Sequence, residues 1–123
     1  IMKGFCTACN APRFLVREDL TRSDVCASCN SVGTLRPDVV WFGEMPYHMD
    51  EIDLALSKAD LFVSIGTSGA VYPAAGFVQE AKMLGIRTME LNLEPSDNAH
   101  AFDEADYGLA GEIVPRWAAQ WGV

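Results

Sequence analysis

Residues 61–95, LFVSIGTSGAVYPAAGFVQEAKMLGIRTMELNLEP, read as strand, glycine-rich turn, helix and second strand, and the rest of the chain is arranged about them. Leu61 to Ile65 is a short apolar run with branched Val63 and Ile65, stopped by Gly66-Thr67-Ser68-Gly69, the pattern of a buried parallel strand. Pro73 stands where a first helical residue belongs. Ala74, Phe77, Val78, Ala81 and Leu84 then recur at helical spacing, and Gly85 follows as a stop. Thr88 to Leu91 supplies the second strand. A parallel crossover of this kind is right-handed, so both strands end on the same edge of the sheet, where ligands of open α/β sheets bind. Those ends are Gly66-Thr67-Ser68 and Asn92-Leu93-Glu94. Backbone N–H groups and hydroxyls suit phosphate, while an amide and a carboxylate suit ribose hydroxyls, which predicts a nucleotide-sized pocket. The turn is not the dinucleotide fingerprint G-x-G-x-x-G, and a tight turn without a ligand is the plain alternative.

At 123 residues, half of them hydrophobic, the chain has material for one modest core and an appendage. A net charge of −8, with nine scattered basic residues, argues against a nucleic-acid surface. No apolar run reaches the length of a membrane span and none at the start reads as a signal peptide, so the expected compartment is the cytoplasm. The chain opens on Ile1 rather than methionine, and a preceding segment is expected.

Cys6 and Cys9 form one C-x-x-C pair, Cys26 and Cys29 another, and sixteen residues separate them. This is ribbon spacing for zinc, with two knuckle turns each presenting two thiolates to a tetrahedral ion. Two disulfides would need an oxidising compartment, and a redox C-x-x-C would occur once, at a helix start after a strand. Four thiolate ligands leave no open position, so the metal is expected to be structural.

Between the pairs, Ala11 to Val25 reads as a hairpin or loop. Asp38 to Glu44, DVVWFGE, reads as an extended segment of high β propensity ending at Gly43, either a core strand or one whose backbone pairs with an extended peptide. Asp50 is placed to cap a helix over Glu51–Lys58, with Ile52, Ala55, Leu56 and Ala59 as its buried stripe. Ser96 to Asp106 reads as an acidic surface loop, Tyr107 to Ala110 as a short strand, and Pro115 as the opening of a last helix in which Trp117 and Trp121 pack inward. His48 and His100 have no nucleophile at a recognisable spacing. The alternation predicts an α/β fold: a parallel sheet covered by helices over 37–123, with a zinc-binding module over 1–36.

Together the two C-x-x-C pairs, LRPDVVWFGEMP, ADLFVSIGTSGAVYPAAGF and ELNLEPS resemble the C-terminal part of a sirtuin, an NAD-dependent protein-lysine deacylase, with wording close to the bacterial branch that includes class III, desuccinylase-type enzymes. The resemblance implies a partial Rossmann-type domain joined to the zinc module. It places Gly66, Thr67 and Ser68 on the ribose and phosphate side of NAD, Asn92, Leu93 and Glu94 around the adenosine ribose, and Ala110 beside the adenine. It also makes Phe42, Gly43 and Glu44, with Gly69, Ala70 and Val71, the two edges between which an acyl-lysine peptide lies as an added strand.

The family's G-A-G-x-S loop, its Q-N-I-D-type segment and its catalytic histidine precede the first zinc cysteine, and here five residues precede Cys6. The upstream tyrosine and arginine that receive an acidic acyl group in the class III branch are likewise not in this sequence. The expectation is one wall of an active site that is inactive alone and pairs with an N-terminal half or with itself. The rival reading is a non-catalytic zinc- and nucleotide-binding or protein-interaction module.

Overall fold

A computed structural model describes residues 2–122, which form two compact units, one ending at Tyr47 and one beginning at His48. The first is a small antiparallel sheet. Strand β1, Lys3–Cys6, lies between β2, Phe14–Leu15, and β3, Leu35–Pro37. Gly4 pairs with Phe14 on one side and Pro37 on the other, and Cys6 pairs with Leu35. Val25 bridges Val32 beyond the sheet, so the expected excursion over Ala11–Val25 is a brief strand followed by loop.

The extended segment expected over Asp38–Glu44 is not a strand. Arg36 donates to both carboxylate oxygens of Glu44 and to the Val39 carbonyl, and its guanidinium lies 3.7 Å over the Trp41 ring. The Trp41 amide donates to Glu44 Oε2 at 3.0 Å and the Glu44 amide to the Trp41 carbonyl at 3.1 Å, closing a turn with Gly43 at φ 86°. These bonds give the backbone a partner other than a sheet ladder, and they outweigh the β propensity of Val39, Val40 and Trp41. Asp38 in turn accepts from Arg13 Nε at 2.7 Å and from the Tyr47 hydroxyl at 3.0 Å. The first unit therefore runs on to Tyr47, past the boundary expected at residue 36.

The second unit is built on a parallel sheet of order β4-β5-β6: Leu61–Ile65, Arg87–Asn92 and Glu104–Tyr107. Helix α1, Met49–Leu56, precedes it, α2, Phe77–Met83, crosses from β4 to β5, and α3, Ala110–Ala119, closes the unit. On one face of the sheet Met89, Leu91 and Ile113 are buried with Leu61, Val63, Val114 and Trp117 packed around them. On the other, Leu56, Ala81 and Ile86 are joined by Ala59, Phe62 and Phe77. Strand β5 is buried from Thr88 to Leu91, and burial of a side chain such as Leu91 is worth about 1.5–3 kcal/mol. Strand β4 is only half-buried, because among the described residues it has a strand partner on one side alone.

Several boundaries differ from the sequence reading for local reasons. Helix α1 begins at Met49 with His48 as its cap, so Asp50 and Glu51 lie in the first turn, where the free N–H groups favour carboxylates. Pro73 leads into a 3-10 turn over Ala74–Gly76 before α2 starts. Gly85, at φ 76°, does end that helix: its amide donates to the Lys82 carbonyl and the Ile86 amide to the Ala81 carbonyl, a Schellman closure that delivers Ile86 to the core. The loop expected over Ser96–Asp106 contains a 3-10 turn, Ala99–Ala101, and the start of β6. Leu109, expected in a strand, is extended and caps α3, its carbonyl accepting from the Glu112 and Ile113 amides, so Pro115 falls inside the helix instead of opening it. Trp117 packs on the core; Trp121 lies beside it, ring centroids 5.9 Å apart and planes tilted by 46°, and is half exposed.

Candidate cofactor edge and four-cysteine site

The parallel register brings the carboxyl ends of β4, β5 and β6 to one edge, so Gly66–Ser68, Asn92–Glu94 and the approach to Ala110 share it. The Gly66 amide still donates to the Leu91 carbonyl at 2.9 Å, extending the ladder by one rung before the chain turns at φ 64°. Asn92 fixes the turn. Its Nδ2 donates to the Thr67 carbonyl at 2.7 Å, while its Oδ1 accepts the Leu93 amide at 2.9 Å. The hydroxyls of Ser64 and Thr67 pair at 3.0 Å, and Ser68 Oγ accepts the Ala70 amide at 3.3 Å. Asn92 thus acts first on the turn, a role the sequence reading gave it only toward a ligand.

A cavity of about 290 Å³ opens between these ends, lined by Gly66, Thr67, Ser68, Asn92, Leu93, Glu94, Pro95, Ser96 and Asp97. Glu94 is exposed at it; Ala110, two residues beyond the Gly108 amide that donates to the Asn92 carbonyl, stands outside the lining. A second cavity of about 450 Å³ lies against β4 and the turn after it, and Thr67, Ser68, Gly69 and Val71 reach it. The edge is therefore a polar recess beside a more apolar one, divided by the Thr67-Ser68-Gly69 backbone.

Asn98 was expected on a surface loop and is buried. Its Nδ2 donates to the Ala75 carbonyl at 2.8 Å and its Oδ1 accepts from Ser96 Oγ at 2.9 Å. Glu90, in the middle of β5, is buried as well, taking the Tyr107 hydroxyl at 2.9 Å and the Ser96 amide at 3.3 Å. Neither residue carries a sequence signal, since a carboxylate between Met89 and Leu91 reads as the exposed face of a strand. His48 and His100 are exposed; His48 Nδ1 pairs with Glu51 at 2.8 Å, and neither lines the two cavities.

In the first unit the four cysteine sulfurs lie within 4.8 Å of one another, with Cys6–Cys29 and Cys9–Cys26 each at 3.8 Å. All four are free thiols, which removes the disulfide reading. A tetrahedral ion with metal–sulfur bonds of about 2.3 Å spans its sulfurs at about 3.8 Å, so the cage fits one. The Thr34 hydroxyl, at 3.2 Å, leads the effects that lower the Cys6 thiol to about 6. Against the Ala11 amide, which favours its thiolate, burial and the other three sulfurs push Cys9 up to about 12. Four sulfurs this close resist becoming anions together, and a dication reverses that. Of the residues expected to meet a peptide, Phe42 is 94% exposed at the corner of its turn, Gly43 is open, and Glu44 is engaged by Arg36. Ala70 and Val71 are exposed, and Gly69 packs against Asn98.

Residues 1–73 match the Sir2 family. The chain is 67% identical over 93 residues to an NAD-dependent protein deacylase of Caulobacter vibrioides, covering 76% of this chain and 39% of that protein. It is 50% identical over 120 residues to NAD-dependent protein deacylase SIR2rp3 of Leishmania major, covering 98% and 49%. Among solved structures, a Sir2 homolog–NAD complex superposes with TM-score 0.80 at 33% identity, covering 94% of this chain and 45% of that one. Sir2 bound to acetylated peptide gives 0.80 at 25%, covering 98% and 52%. The chain thus spans about half, or less, of the length of these relatives, and it belongs to the Sir2 family.

Proposed function

We propose that this chain forms part of an NAD-dependent protein-lysine deacylase. The observation that carries the reading is the shared strand edge, where a turn held by Asn92 faces a polar recess in a chain that superposes on a Sir2 homolog–NAD complex. NAD, when bound, supplies the ADP-ribose that receives the acyl group, and nicotinamide leaves. Gly66, Thr67 and Ser68 present amides and hydroxyls toward its phosphate and ribose, Asn92, Leu93 and Glu94 frame the adenosine ribose, and Ala110 lies toward the adenine. Phe42, Gly43 and Glu44 in the first unit are one segment, and Gly69, Ala70 and Val71 in the second another, each of which offers backbone to an extended acyl-lysine peptide. Glu44 serves there by holding its turn, because its carboxylate is committed to Arg36 and Trp41.

Cys6, Cys9, Cys26 and Cys29 hold a structural zinc, and four thiols kept as ligands fit a reducing compartment such as the cytoplasm. Neither histidine lines the two cavities, which supports a general base supplied from outside residues 1–123 and predicts that these residues alone bind without turnover. The test is nicotinamide release from NAD with an acetyl- or succinyl-lysine peptide, run on the full-length protein and on residues 1–123. Release by the first and none by the second is expected. No release by the full-length protein leaves a binding module, and release by residues 1–123 that is lost in His48→Ala or His100→Ala puts the base within this chain.

A further inference from the structure

We propose that Asn98 is a positioning residue that couples the cofactor turn to the peptide edge Gly69–Val71; this rests on the functional reading above. Asn98 joins two loops that leave different strands. From the β5 side it is tied to the core: Ser96 Oγ donates to its Oδ1, the Ser96 amide donates to the buried carboxylate of Glu90, and Tyr107 donates to that carboxylate from β6. On the β4 side its Nδ2 donates to the Ala75 carbonyl, and the Asp97 amide donates to the Ser68 carbonyl at 2.9 Å.

Gly69 completes the joint. At φ 68° it lies so close that a Cβ there would stand 2.0 Å from Asn98 Oδ1 and 2.7 Å from its Cγ. The amide of Asn98 therefore sets the gap between the loops by contact as well as by hydrogen bonds. Ser68 lines the polar recess and Gly69 and Val71 the apolar one, so a shift of this backbone displaces both walls together. Asn92 differs, because its side chain bonds only to the turn and to its own neighbour.

Asn98→Asp keeps the shape and the acceptor for Ser96, but it turns an oxygen toward the Ala75 carbonyl where a donor stood. In the full-length protein this variant is expected to raise KM for NAD and for the acyl peptide together, each about fivefold, the worth of one neutral hydrogen bond, with kcat held. Asn92→Ala should raise KM for NAD alone. Hydrogen exchange gives the readout that needs no turnover: amides of residues 67–76 should exchange faster in Asn98→Asp while those of α3 keep their wild-type rates. A wild-type protein that releases no nicotinamide would sink the functional reading, and the exchange rates alone would then decide the coupling. Unchanged exchange over 67–76, or a rise in KM for NAD with the peptide value unmoved, overturns the proposal.

Discussion

Arg36 shows how one side chain redirects a backbone. Its two bonds to Glu44 hold that carboxyl down at about 2, from an ordinary value near 4.5, with the Trp41 amide helping. A depressed acid stabilises the fold above its unfolded value and loses that contribution as pH falls through its folded one. The stability difference between wild type and Glu44→Gln should be constant from pH 8 to about pH 5 and shrink below about pH 4.5. Denaturant unfolding of the pair at each pH measures it, and a difference that grows on acidification would show that the ion pair does not shape the turn. Glu44 is well exposed, so the effect is screened. At the polar edge, Asn92→Ala removes both bonds that hold the turn and should lower stability by about 1 kcal/mol while weakening NAD use. The clustering of the four cysteines was legible in the sequence because two C-x-x-C turns at ribbon spacing bring their thiols together. Asn98 and Glu90 were not, because their roles come from partners in other strands.

At the scale of elements, β4, α2 and β5 follow from apolar periodicity and punctuation, and Gly85 marks the end of α2 as its position predicts. Gly85→Ala forces a Cβ into the left-handed region and should cost about 1 kcal/mol, seen as a lower unfolding midpoint without loss of helix signal. A variant as stable as wild type would mean that the closure contributes nothing. Strand β6 lies earlier than the short strand expected over Tyr107–Ala110, because exposed Glu104 and half-buried Asp106 pair with Arg87 and Arg116, so the strand presents charges rather than an apolar stripe. Asp38–Glu44 erred in the opposite direction: its propensity is right for a strand, but it has Arg36 and Asp38 contacts in place of a ladder.

For the molecule as a whole, the first unit has a four-cysteine cluster where a larger domain has a core, and among its described apolar side chains only Cys6 and Cys26 are buried. The proposed zinc site predicts that a strong chelator unfolds the unit through Tyr47 and leaves the parallel sheet folded, since structural zinc sites contribute folding energy directly. Hydrogen exchange should show fast amides over β1–β3 and unchanged ones over β5; equal protection in both states would argue against a structural metal. Among the described residues β4 has a strand partner on one side alone and Ile65 is half exposed, which predicts that residues 1–123 pair edge to edge. Sedimentation of that segment should shift with concentration, and a monomer throughout would mean the edge is protected.

The strand order β4-β5-β6 also matches the order of synthesis. Strands β5 and β6 each leave the ribosome with a neighbour already made, and the two cysteine knuckles emerge before β4. Among the described residues no strand of the parallel sheet waits for a later one to be inserted between it and its partner. Among the described residues β5 and then β6 add beyond β4, and β6 with α3 comes last, sealing the face that Trp117 covers.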